Sequence, residues 1–159
     1  MLEIGMICAE AGEKIARVSA NMAMAADMEV RASSTATTGA YSSACQRGLP
    51  AILMERGGGG RFTDSEVQAY KQDVKNIMIR MGLLSGEEVH TVQQKNVTRA
   101  EYLEAETDGL WYPVFSAGDT FAGGAVLGTV RDIWGNLLRE YRADYPGIIL
   151  YQTVGLGVK

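Results

Sequence analysis

The sequence predicts an α/β core followed by a small β-domain, and its patterning shows this in three places. The apolar run Ala51-Ile52-Leu53-Met54 ends in Glu55 and lies between helical patterns. A long amphipathic helix with a complete start signal covers Asp64 to Met81. From Leu83 onward, short runs rich in β-branched and aromatic residues alternate with turn residues.

In chain order, Ile7, Ala11, Ile15, Val18, Met22 and Ala25 recur at spacings of three or four, which predicts a first helix with these residues on one face. Met22, Met24 and Met28 read as packing residues of that region. Met28 to Ser33 alternates weakly and reads as a short strand; the polar run Ser33 to Gly39 reads as a loop. Ala40 to Arg47 forms a short helix that Gly48 ends and Pro50 prevents from continuing. Ala51–Met54 is too short for a helix and reads as a buried strand of a parallel sheet, delivering Glu55 and Arg56 at its C-terminal end. Functional groups of open α/β sheets collect at strand C-termini, which singles out Glu55. The four glycines Gly57 to Gly60 are followed by no Lys-Ser/Thr pair and fit no dinucleotide frame, so they connect strand and helix rather than cradle phosphate. Thr63 and Glu66 make a capping box, Val67, Tyr70, Val74, Ile77 and Met81 line one helical face, and Gly82 closes the helix.

The β-pattern begins near Ser85-Gly86, dividing the chain into residues 1–85 and 86–159. Strands are expected at Val89–Gln94, Gly109–Phe115, Ala125–Val130, Asn136–Tyr141 and Gly147–Val154. A short repeat pairs Ala105 and Gly109-Leu-Trp-Tyr with Ala143 and Gly147-Ile-Ile-Leu-Tyr, which suggests a quasi-symmetric β-sandwich or flattened barrel. Trp111, Tyr112 and Tyr151 read as packing residues and Trp134 as partly exposed at a turn.

Composition excludes several classes. The chain has 159 residues, 47% hydrophobic and 21% charged, as in folded soluble proteins. A net charge of −4 argues against nucleic acid or an anionic membrane as partner, and no apolar stretch is long enough to span a bilayer. Met1–Glu10 lacks a basic n-region and carries Glu3 and Glu10, against a secretory signal and in favour of the cytoplasm. Cys8 and Cys45 have no metal-ligand spacing and read as free thiols. His90 is the single histidine, so this donor set is poor for zinc, and His90 itself reads as a surface or hydrogen-bonded residue. The lysines of the β-domain, Lys95 and Lys159, sit at no hairpin tip, which argues against a lipoyl or biotinyl carrier.

The stretch Arg47-Gly-Leu-Pro-Ala-Ile-Leu-Met-Glu-Arg-Gly-Gly-Gly-Gly-Arg61 resembles a signature of the succinylglutamate desuccinylase/aspartoacylase family: a Gly-(Ile/Leu)-Pro-Ala strand ending in glutamate, then glycines and a long helix. Gly109-Leu-Trp-Tyr-Pro, Gly118-Asp, Val126-Leu-Gly, Arg131-Asp-Ile-Trp-Gly and Gly147-Ile-Ile-Leu-Tyr are similar to that family's C-terminal β-domain. The resemblance implies the C-terminal half of a zinc carboxypeptidase-like α/β core followed by a biotinyl/lipoyl-like barrel or sandwich. It implies hydrolysis of the amide bond of N-acyl amino acids, with Glu55 as general base toward zinc-bound water and then as acid toward the leaving amine. Thr37, Thr38, Gly39 and Tyr41 would form a loop near the end of the glutamate strand and line the substrate. The family's His-x-x-Glu motif and later histidine ligate zinc; neither precedes His90 here, so no metal ligand is assigned and no zinc is expected on this chain alone. The resemblance therefore implies a partial, truncated deacylase, inactive without a polypeptide that supplies the N-terminal half. The alternative is a non-catalytic interaction or oligomerisation module derived from such an enzyme. Apolar surface around the first helix and the Ala51–Met54 strand is expected to favour a homo-oligomer.

Overall fold

The computed structural model describes residues 2–8, 12–34 and 36–159. Glu10, Ala11 and Thr35 lie outside the described residues. The chain divides into two compact units, Glu3–Glu101 and Leu2 with Tyr102–Lys159. The first is a mixed α/β unit with three helices among the described residues; the second contains strands alone.

The first unit opens with a strand, β1 (Ile4–Cys8), rather than with helix. Gly5 disfavours helix, and the isoleucines Ile4 and Ile7 suit a pleated, buried position. The helical spacing of Ile7 was therefore accidental, and α1 (Glu13–Ala25) begins after it. Small residues, Ser19, Ala23 and Ala25, form its buried face. β2 (Val30–Ser34) follows as expected and alternates between buried and half-buried positions. Met28, at 0% exposure, fills the core beside it.

α2 (Ala40–Gln46) and β3 (Ile52–Glu55) come next. β3 is not an interior strand of a parallel sheet. The sheet order is β3-β1-β2-β4, with β4 at Lys95–Val97, and β3 runs antiparallel to β1 at the edge. The four-residue run satisfies either pairing sense, and its residues are half-buried, as an edge position dictates.

α3 (Asp64–Arg80) carries the predicted capping box: Thr63 Oγ1 accepts from the Glu66 amide at 3.2 Å, and the Glu66 carboxylate accepts from the Thr63 amide at 2.6 Å. Its buried face differs from the apolar stripe. Asp73 and Asn76 are fully buried, whereas Val74 is 48% exposed and Met81 41%. The reason is a set of polar partners for the two polar side chains. Asn76 exchanges a backbone-like pair of bonds with Val89, Nδ2 to the carbonyl at 2.7 Å and amide to Oδ1 at 3.0 Å. Asp73 is bound by Arg56.

These bonds also move the expected boundary. Residues 86–101 pack in the first unit, because Asn76 holds Val89, Asp27 holds Thr91 and Val92, and β4 pairs in parallel with β2. Val89–Gln94 accordingly forms no strand.

In the second unit β5 (Gly109–Pro113), β7 (Val126–Arg131), β8 (Leu137–Arg142) and β10 (Gly157–Val158) make an antiparallel sheet in the order β10-β5-β7-β8. β6 (Thr120–Phe121) and β9 (Gly147–Ile148) form a separate pair. The two halves of the repeat thus lie in different sheets, and of the expected last strand Gly147–Ile148 forms β9, with Ile149 bonded through its backbone to Gly118 and Asp119. Val130, Tyr141 and Ala143 are buried, and Trp111 meets Tyr141 edge-on at 5.7 Å. Tyr112 and Tyr151, expected to pack, are exposed, and Trp134 at the β7–β8 turn is 82% exposed.

Candidate functional site around Glu55 and the buried Arg56 network

β3 positions two adjacent ionisable side chains on opposite sides of the strand, and their environments differ completely. Glu55 is the last strand residue, lies opposite Ile4 and is exposed. Among the described residues its carboxylate has no hydrogen bond or ion pair. The pairing of Glu55 with Arg56 or Arg61 that composition invites does not form.

Arg56 turns inward instead, with its side chain only 3% exposed. Its Nε donates to Asp73 Oδ2 at 2.9 Å, and its Nη2 to Asp73 Oδ1 at 3.0 Å and to the Asp27 carbonyl at 2.8 Å. Nη1 forms an ion pair with Glu3, and the guanidinium lies over the Tyr70 ring at 5.8 Å. Burial works against its charge, but bonds to Asp73 and Glu3 more than offset that, and the pKa of Arg56 is raised. Tyr70 Oη accepts from the Arg56 amide at 2.8 Å and donates to the Met54 carbonyl at 3.2 Å. The strand end that presents Glu55 is thereby fixed to α3.

The network continues through Asp27, whose amide donates to Asp73 Oδ1 at 2.8 Å. The Asp27 carboxylate accepts from Thr91 Oγ1 at 2.6 Å and from the amides of Thr91 and Val92. Burial alone would raise its pKa; these bonds and the nearby His90 bring it below the ordinary value. His90 Nε2 lies 2.9 Å from Glu88, which also pairs with Arg80, and Nδ1 lies 4.0 Å from Asp27. The bond from Arg80, then that from His90, depress the Glu88 pKa. His90 is therefore a hydrogen-bonded surface residue, as its isolation suggested.

The loop residues fall elsewhere. Thr37, Thr38 and Gly39 are exposed and Tyr41 is half-buried. Gly39 and Tyr41 line an apolar groove of about 520 Å³ with Ala40, Ala44, Ala51, Ile52 and Leu53; neither Thr37, Thr38 nor Glu55 lines it. Register explains the separation. Ile52 pairs with Ile7 near the C-terminal end of β1, whereas Glu55 pairs with Ile4 at its N-terminal end. An antiparallel β3 thus carries Glu55 about 10 Å from the groove end of the strand. The expected proximity of the loop to the glutamate end is not observed.

No protein-family model matches the chain, and no curated protein does. Solved structures match it closely in fold. A product-bound structure of the ectoine utilization protein EutE (DoeB) from Ruegeria pomeroyi aligns with a TM-score of 0.80 at 20% identity, over 99% of this chain and 51% of that one. A succinylglutamate desuccinylase/aspartoacylase from Rhodobacter sphaeroides gives 0.75 at 21% identity, over 99% and 52%. This chain has the fold of succinylglutamate desuccinylase/aspartoacylase proteins. An aspartoacylase family protein from Mesorhizobium loti gives 0.70 at 19% identity, again over 99% of this chain and 51% of its own. The chain spans about half the length of the structures that share this fold.

The residues described here do not fit a zinc centre. Zinc in a catalytic site takes three protein ligands, and no group of three His, Cys, Asp or Glu side chains among them could hold a metal. The nearest approach, His90 with Glu88 and Asp27, is committed to Arg80 and to the Thr91 and Val92 amides. Among the described residues no helix is long and apolar enough to cross a membrane. The sequence did not single out Asp73, Asp27 or Glu3. The available signal was the presence of Asp73 and Asn76 three residues apart on α3, in phase with Tyr70.

Proposed function

We propose that this chain is the C-terminal portion of a zinc-dependent deacylase that hydrolyses the amide bond of N-acyl amino acids, and that the metal-binding residues lie outside these 159 residues. The second unit is then that enzyme's biotinyl/lipoyl-like domain. The observation that carries the proposal is Glu55: a free, exposed carboxylate at the end of a strand, followed by glycines and a capped helix, in a fold shared over nearly the whole chain with solved deacylase-family structures. Arg56 would neutralise Glu55 were it not held by Glu3 and Asp73. With Arg56 sequestered, Glu55 is available to accept a proton from a nucleophile and return it to a leaving amine. Gly57 to Gly60 keep side chains away from that end of the strand. The substrate-lining role expected for Thr37 to Tyr41 is not part of this reading, because the register sets that loop a strand length from Glu55.

The test joins genetics to chemistry. DNA adjoining the coding region is sequenced for His-x-x-Glu and a later histidine, and the encoded segment, fused to this chain or separate as the frame dictates, is expressed with it and assayed on N-acyl amino acids. Hydrolysis that disappears in Glu55→Gln, with folding retained, supports the proposal. Hydrolysis indifferent to Glu55→Gln sinks it. A second reading, a non-catalytic interaction module, is favoured by the apolar residues α3 leaves exposed, Val74, Met78 and Met81.

A further inference from the structure

Glu55 lies where β1 stops holding β3. Its pairing with Ile4 ends the register that joins the two strands, and the chain then turns at Gly57, whose φ is +70°. A Cβ at Gly57 would lie 3.0 Å from Glu66 Oε1 and 3.2 Å from the Arg61 carbonyl, so the turn is pressed against the start of α3. A general base must keep its carboxylate within about 2.6–3.2 Å of the atom whose proton it takes, and a misplacement of ~1 Å costs on the order of a hundredfold in rate. At the end of a ladder, a group other than the neighbouring strand has to fix the backbone that aims Glu55.

The geometry points to Tyr70 as that positioning residue, its hydroxyl clamping the two peptide units that flank Glu55. Tyr70 Oη accepts from the Arg56 amide at 2.8 Å and donates to the Met54 carbonyl at 3.2 Å. The Met54 carbonyl belongs to the peptide unit before Glu55 and the Arg56 amide to the one after it. Holding both fixes φ and ψ of Glu55, and with them the direction of its Cα–Cβ bond. A carbonyl and the amide two residues on face the same side of a strand, which is why one hydroxyl reaches both. The clamp is mounted on α3, whose start is locked by the Thr63–Glu66 capping box. The same helix anchors the Arg56 side chain separately, through Asp73 and through the Tyr70 ring beneath the guanidinium. Removing the hydroxyl alone therefore leaves the ion pair and the ring contact in place and frees the backbone of Glu55. The inference rests on the reading of Glu55 as the proton-transferring group.

Tyr70→Phe tests it in the hydrolytic assay set out for Glu55, with Asn76→Ala beside it as a variant that loosens α3 from Val89 without touching the clamp. Tyr70→Phe is expected to keep a wild-type circular dichroism spectrum and KM while kcat falls about 10- to 100-fold; Asn76→Ala is expected to keep its kcat. Hydrogen exchange on the chain alone supplies a readout without activity: the Arg56 amide should exchange faster in Tyr70→Phe than in the wild type. An unchanged kcat in Tyr70→Phe, where Glu55→Gln abolishes hydrolysis, overturns the positioning role and leaves the deacylase reading standing. An equal fall of kcat in Asn76→Ala overturns it too, since general loosening of α3 then accounts for the loss. So does an Arg56 amide whose exchange ignores the substitution. Hydrolysis indifferent to Glu55→Gln sinks the deacylase reading, and the role of Tyr70 with it.

Discussion

At the scale of single residues, the molecule invests its buried charge in Arg56 and leaves Glu55 bare. Asp73 is fully buried and doubly bonded to Arg56, so Asp73→Ala strands a guanidinium whose remaining carboxylate partner is Glu3. Removing one partner of a buried pair costs about 3–5 kcal/mol, and urea denaturation should show a loss of that size. Glu55→Gln, at an exposed carboxylate with no partner, should change stability by no more than about 0.5 kcal/mol. A pH dependence follows from Asp27. Its pKa is lowered in the folded chain, so the ionised form stabilises the fold. That stabilisation is fully present above the unfolded carboxylate value, about pH 4, and is lost as pH falls through the lower folded value. Asp27→Asn should therefore flatten the fall of the urea midpoint below about pH 4. The role of Glu55 at a strand end was legible in the sequence because an apolar run ended there. The network beneath it was not, because its members, Glu3, Asp27, Arg56 and Asp73, are scattered over 70 residues and meet only when α3 docks.

At the scale of elements, legibility followed the number of independent local signals. α3 had a cap, a periodic face and a closing glycine, and its start at Asp64 emerged as read. Thr63→Ala removes the capping oxygen and should cost about 1 kcal/mol, seen as a lowered thermal midpoint. α1 had periodicity alone, and periodicity across Ile4–Cys8 could not exclude a strand. β3 was recognisable as a strand, but its direction depends on its neighbour β1, which lies more than 40 residues earlier in the chain. In the second unit the strands β5, β7 and β8 were legible from their turns, while the packing that fixes them was not. A methyl group added at Gly128 would lie 2.2 Å from Cη2 of Trp111, an overlap with a ring that Tyr141 holds edge-on. Gly128→Ala should destabilise the unit by about 1–3 kcal/mol and shift the Trp111 emission, with Trp134 as a constant exposed background.

At the scale of the whole molecule, the α/β pattern and the change to strands were readable, but the division was displaced from 85/86 to 101/102. The cause is long-range: Lys95–Val97 joins the first sheet by pairing with β2, and no local pattern announces a partner 65 residues away. The same scale decides the metal question. Zinc affinity requires several deprotonated donors converging on one point, and a site with fewer protein ligands than a catalytic centre holds the ion weakly. Histidine supplies a single candidate here, and His90 is already shared between Glu88 and Asp27. Chain purified without chelator and then dialysed should therefore carry well under one zinc per molecule by elemental analysis. Its thermal midpoint should be unmoved by added zinc, since a ligand that does not bind the native state cannot stabilise it. One zinc retained per chain, with a midpoint that rises with zinc concentration, would instead mean that these residues assemble a complete centre by themselves, and the need for ligands outside them would fall away.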